Sequence, residues 1–118
     1  MNWIQCGAMV MLAGVALGAF GAHGLKLSDH LKAVYQTGVL YHLVHGLALF
    51  AVAWISTLKP SEPLVKYAGL AFLLGVLLFS GSLYALAVTG IKKFGMITPL
   101  GGLAFLAGWI CLFFAAKP

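Results

Sequence analysis

The sequence predicts an all-α membrane protein, an antiparallel bundle of four transmembrane helices. Three observations lead there. Hydrophobic residues fill 63% of the 118 positions and charged residues 8%, and the mean hydropathy is +1.06, well above that of soluble domains. The apolar residues fall into four runs, each of the ~20 residues that a spanning helix needs. The stretches between the runs are short, so successive helices must run antiparallel. A soluble core built from this composition would have almost no polar surface left to face water.

The elements follow in order. The first span covers about residues 3–22, and no lysine or arginine precedes it, so it reads as a retained helix and not as a cleaved signal peptide. "LKLSDHLKAVYQ" follows, with Leu25, Leu27, Leu31 and Val34 spaced for one helix face and Ser28 placed as an N-cap. Residues 25–34 are therefore expected either as an interfacial helical stretch or as the opening turns of a long second helix, whose span covers 35–58. "KPSEP" at 59–63 is a turn, because neither proline can continue a helix. A third span runs over 64–89, "GIKKFG" at 90–95 turns the chain, and a fourth span runs over 96–116. All of this makes one transmembrane domain over 1–118. A faint repeat lays "GVALGAFGAHGL" (14–25) over "GVLLFSGSLYAL" (75–86), as expected for two parallel helical hairpins.

Charge narrows the partners. The net charge of +5 comes from seven lysines against Asp29 and Glu62. The lysines sit at the ends of the apolar runs, where they meet lipid headgroups, so the expected partner is the membrane lipid and no nucleic acid. Lys26, Lys32, Lys92 and Lys93 lie on one side, and Lys59, Lys66 and Lys117 on the other. That balance leans towards a multi-pass protein of the cell inner membrane with both termini outside the cytoplasm. Cys6 and Cys111 are lone residues inside apolar runs, which excludes a disulfide framework or a CxxC centre.

Glycines mark the expected packing faces. Gly7, Gly14, Gly18 and Gly21 form a stripe on the first helix, where small residues let backbones approach and gain dispersion energy that lipid does not supply. Gly38, Gly81, Gly101 and Gly102 are expected to do the same on the other spans. The polar residues are distributed unevenly. One membrane half takes His23 from the first span, Tyr35, Tyr41, His42 and His45 from the second, Ser80, Ser82 and Tyr84 from the third, and Thr98 from the fourth. His42 and His45 are three apart and share a face, as do Ser80 and Tyr84, four apart. An unsatisfied polar group at that depth costs several kcal/mol, so the cluster needs a reason.

Two readings compete for it. One is a satisfied hydrogen-bond network that fixes helix register. The other is a half-membrane pocket or proton path, since ionisable groups within the bilayer are functional candidates by default. No carboxylate lies within the spans, which disfavours a pump built on an acidic pivot. His42 and His45 lack a cysteine or carboxylate at their depth to complete a zinc site, and His23 is too shallow to be a second haem ligand, so no metal and no cofactor is expected. No nucleophile has an orienting acid and an oxyanion hole in view, and no phosphate-binding glycine loop is present. The chain is therefore not expected to be an enzyme.

Four stretches together, "GAFGAHGL" (18–25), "YHLVHGLAL" (41–49), "FSGSLYAL" (79–86) and "ITPLGG" (97–102), with "GW" at 108–109, give the whole chain a family likeness. It resembles the YgdD/YwdK-type family of small bacterial inner-membrane proteins, which has eukaryotic relatives. The resemblance implies a four-span integral membrane protein and carries no catalytic or binding residues with it. The function expected is then non-enzymatic: a polar pocket, open towards the first and third connections, that binds a small molecule or lipid headgroup. A transporter or channel subunit with His42, His45 and Tyr84 as a proton relay is the alternative. A third reading is a structural subunit, a homo-oligomer or part of a membrane complex, that uses the helix-one glycine stripe as its contact face.

Overall fold

The computed structural model describes residues 1–118 and contains four helical spans joined by short turns. Helix α1 (Trp3–His23) opens on a capping box in which Asn2 and Gln5 satisfy each other's backbone N–H groups. Ser28 caps α2 (Asp29–Leu58) by accepting the Leu31 N–H, so this helix starts at Asp29 and runs 30 residues unbroken. Residues 29–34 are thus the opening turns of α2 and not a separate interfacial element. Nothing between Val34 and Tyr35 could end a helix, and the cap lies upstream.

The third span is not one regular helix. α3 (Pro63–Gly75) begins with Glu62 as cap and Pro63 in the first turn, where its missing N–H costs nothing. A single π turn over Val76–Ser80 follows, and α4 (Gly81–Thr89) completes the span. Gly90 ends it with φ of 72°, a left-handed conformation that glycine adopts without penalty. A 3-10 turn over Lys92–Met96 leads into α5 (Thr98–Ala115).

The spans pack as two hairpins. α1 lies along α2, and α5 lies along α3 and the π turn, while α2 and the third span meet in the middle. α1 and α5 are therefore the outer helices, and their remaining faces are left to lipid. Leu49 and Val52 from α2, Ala68, Phe72 and Val76 from the third span, and Phe105 from α5 make the apolar core. The molecule is 48 Å along its longest axis, close to the roughly 45 Å of a 30-residue helix, so α2 runs nearly its full length.

Candidate functional site

Helix α2 carries the buried histidines His42 and His45, the third span carries the buried Ser80 and Ser82, and glycines set how closely the helices approach. A Cβ at Gly14 would stand 2.7 Å from a Leu43 methyl and 3.1 Å from His42 Cδ2, so α1 reaches the histidine only because no side chain intervenes. His42 uses both ring nitrogens. Its Nε2 lies 2.8 Å from the Val10 carbonyl of α1, and its Nδ1 lies 2.9 Å from the Tyr84 hydroxyl of α4. A carbonyl only accepts, so Nε2 carries the proton and Nδ1 accepts from Tyr84.

His45 adopts the opposite tautomer by the same logic. Its Nδ1–H donates to the Tyr41 carbonyl at 2.8 Å, and its Nε2 accepts the Trp109 indole N–H of α5 at 3.0 Å. The indole can only donate. A proton added at Nε2 would therefore set one N–H against another. His42 and His45 share a face but point about 60° apart, three positions along a helix. One reaches α1 and α4, and the other reaches α5. The His42–His45–Tyr84 chain that a relay needs does not close, because His42 bonds Tyr84 and His45 bonds neither of them.

Four further bonds complete the seam. Tyr35 donates to the Leu17 carbonyl of α1, Ser80 to the Gly38 carbonyl at 2.7 Å, and Ser82 to the Phe79 carbonyl at 2.9 Å. With the Ser82 proton used, Thr98 donates to Ser82 across 2.6 Å, tying α5 to α4. Six of these hydrogen bonds join different spans, and no buried side-chain nitrogen or oxygen lacks a partner. A network saturated in this way holds helices in register and has no free group to offer a ligand.

Several residues fall elsewhere than the sequence suggested. His23 is exposed and outside the cluster. Gly21 faces the Tyr35 ring, and a residue two positions on is turned by about 200°, away from α2. The glycine stripe of α1 is occupied: Gly7 meets Phe50, Gly14 meets Leu43 and His42, Gly18 meets Val39 and Gly21 meets Tyr35, all on α2. It is therefore not free to be a contact face for a partner. Gly38 does bring α4 close, since a Cβ there would lie 3.0 Å from the Tyr84 ring, and Gly101 lies directly on the Phe79 backbone. Gly81 allows no close approach, because the π turn rotates it away and a Cβ would meet only one backbone oxygen, at 4.0 Å. Gly102 is not required for packing either, as a Cβ would touch the Phe79 ring at an ordinary 3.9 Å.

Nor is there one polar pocket open towards the first and third connections. Beside the first connection is a small cleft of about 130 Å³, with Gly18, Gly21, Lys32, Tyr35 and Gln36 in its walls. The larger space, about 580 Å³, is a groove on the lipid-facing side between α2 and α5. Its walls are Tyr41 and His45 of α2, Phe79 of the π turn, and Pro99, Gly102, Leu103, Phe105, Leu106 and Trp109 of α5. Inside it, Tyr41 packs on Phe79 with ring centres 4.5 Å apart, and Phe105 stacks on His45 at 3.6 Å. Tyr41 is 40% exposed, and its hydroxyl, unlike those of Tyr35 and Tyr84, bonds to no other group in the protein. Its Cα lies roughly 18 Å along α2 from Asp29, below the charged residues that mark the membrane surface.

Trp109 was missed as a site residue. The signal was present in "GW", because a tryptophan so far from either end of a span needs a partner for its N–H. Gly46, Gly69, Gly75 and Gly108 were also missed as packing positions, and they face Met11, Trp3, Phe105 and Phe72. Cys6 and Cys111 are free thiols, half-buried against the core. No three histidine, cysteine or acidic side chains come together where they could hold a metal ion.

Fold and site together define a class: a small four-span α-helical membrane protein with a saturated polar seam and an apolar groove opening to lipid. Within that class, the chain belongs to the family described as "Protein of unknown function (DUF423)", which matches residues 17–102. It is 48% identical over 116 residues to the UPF0382 membrane protein YwdK of Bacillus subtilis, covering 97% of this chain and 94% of that one. It is 47% identical over 112 residues to the UPF0382 membrane protein SH2409 of Staphylococcus haemolyticus, covering 93% and 90%. To the UPF0382 membrane protein SAB0533 of Staphylococcus aureus it is 44% identical over 115 residues, covering 96% and 93%. No solved structure matches the chain.

Proposed function

We propose that this is a non-catalytic binding protein of the lipid phase, which takes a small molecule from the bilayer into the groove between α2 and α5. One observation carries the reading: Tyr41 lines that groove with a hydroxyl that bonds nothing in the protein, while every buried polar side chain is paired. A hydroxyl in hydrocarbon is costly unless something completes it. The buried histidines, in this account, fix the helices that form the walls. His45 illustrates the division of labour, because its hydrogen bond to Trp109 sets the spacing of the two walls.

We further place the protein in the cell inner membrane with both termini outside the cytoplasm, on the balance of Lys26, Lys32, Lys92 and Lys93 against Lys59, Lys66 and Lys117. Under this orientation Ser61→Cys, in the second connection, reacts with a membrane-impermeant maleimide added to intact cells. Labelling only after lysis reverses it.

The binding reading is tested by native mass spectrometry of protein released from its own membrane. The wild-type chain should carry a bound small molecule of defined mass, and Gly102→Leu, whose side chain would project into the groove, should lose it. Equal adducts on both, or none on either, would refute the proposal.

A further inference from the structure

Resting on the groove reading, the chemistry of the groove also says what kind of molecule it takes. We propose that the ligand is a lipid-soluble quinone, with its planar ring among Phe79, Trp109 and the leucines Leu103 and Leu106, and a ring carbonyl accepting the Tyr41 hydroxyl. Four observations point there.

The first is shape. Tyr41 and Phe79 on one side face Trp109 on the other, with Leu103 and Leu106 between, and flat rings favour offset or tilted packing against such aromatic surfaces. The second is the single free polar group. Both nitrogens of His45 are used, and the Trp109 N–H is already donated, which leaves only the Tyr41 O–H to address a ligand. One donor matches one neutral acceptor, such as a ring carbonyl. The third is the absence of charge. No lysine, aspartate or glutamate lines the groove, so a phosphate or carboxylate headgroup would be buried there without a counter-ion. A plain acyl chain would suit the walls but leave the hydroxyl unpaired.

The fourth is how the floor is kept open. Gly101 seats α5 on the Phe79 backbone, and the π turn carries the Phe79 ring to the groove wall. Gly102 then lines the groove although nothing in the packing requires a glycine there. π turns inside helices recur at functional positions, and this one supplies a groove wall. The groove runs from Pro99, in the first turn of α5, to Trp109, 10 residues further on. An isoprenoid tail would leave through its open side into the surrounding lipid.

Trp109 reports occupancy directly, because a quinone ring beside an indole quenches its fluorescence. The test uses the full chain carrying Trp3→Phe and Trp54→Phe in phosphatidylcholine vesicles, titrated with a naphthoquinone bearing a short isoprenoid tail. The native chain is run in parallel as a check on folding, and should give the same half-saturation with a smaller amplitude. Quenching of Trp109 should saturate. Adding Tyr41→Phe should raise the half-saturating concentration roughly fivefold, the effect of one neutral hydrogen bond. Adding Gly102→Leu should leave only the linear, collisional component. Linear quenching that Gly102→Leu does not change would overturn the quinone. If the wild-type chain still carried a small adduct that Gly102→Leu lost, the groove would stand with another ligand. If no adduct appeared, or the mass were that of a second copy of the chain seated in the groove, both proposals would fall.

Discussion

Tyr41 and His42 are neighbours in sequence and opposites in circumstance. His42 is buried with both ring nitrogens bonded to other helices, whereas Tyr41 looks outward from the same helix with a free hydroxyl. The difference follows from where each residue falls around α2. The side towards α1 and α4 is closed by Gly14 and Gly38, which bring helices close enough to satisfy every polar atom. The side towards α5 meets that helix mainly at His45 and Trp109, and beyond them the walls part. Polarity within a membrane protein therefore has two meanings here. Where the donors and acceptors are saturated it is architecture, and where one remains open it is, in the function proposed above, the mark of a site.

The largest effect should come from the tightest contact. Gly101→Leu would place a side chain on the Phe79 backbone and should detach α5, so that chemical unfolding in detergent loses about 3 kcal/mol or no folded protein is recovered. An unchanged unfolding curve would mean that α5 is not seated as described. His42→Ala comes next. It leaves a cavity and strands the Tyr84 hydroxyl in the interior, for an expected loss of about 2–4 kcal/mol.

Trp109→Phe keeps most of the ring volume and removes one inter-helix hydrogen bond, so about 1 kcal/mol should be lost. A loss as large as that of His42→Ala would show that the groove side is as closed as the seam. The smallest effect on stability belongs to Tyr41→Phe, within about 0.5 kcal/mol of wild type, since no bond in the protein is broken. Its thermal midpoint in detergent should stay put while ligand retention falls. A marked drop in that midpoint would make Tyr41 part of the architecture after all.

The sequence revealed the spans and the depth of the polar residues, because both follow from counting along helices. The length of each apolar run, the caps at Ser28 and Glu62 and the turn at Gly90 are local features. What it did not reveal is rotation. His23 lies in the same half as the cluster but on the wrong side of α1, and Tyr41 lies one residue from the seam and outside it. The π turn also escaped notice, since nothing in "VLLFS" differs from ordinary helix, yet it shifts the facing of Gly81. Partner identity was hidden for the same reason. That His42 would bond the Val10 carbonyl depends on Gly14 facing it, a relation between two helices that neither helix encodes alone.

One measurement bears on the whole account: unfolding free energy and ligand retention, determined together for His42→Ala and Gly102→Leu. The account predicts opposite results. Folded His42→Ala should be less stable by about 2–4 kcal/mol and still carry the bound molecule, because its cost falls on the seam's packing and hydrogen bonds and not on the groove. Gly102→Leu should unfold within about 0.5 kcal/mol of wild type and carry none, because its side chain fills only the groove. If the two properties fell together in both variants, or if His42→Ala lost the ligand at full stability, the division between seam and groove would be wrong.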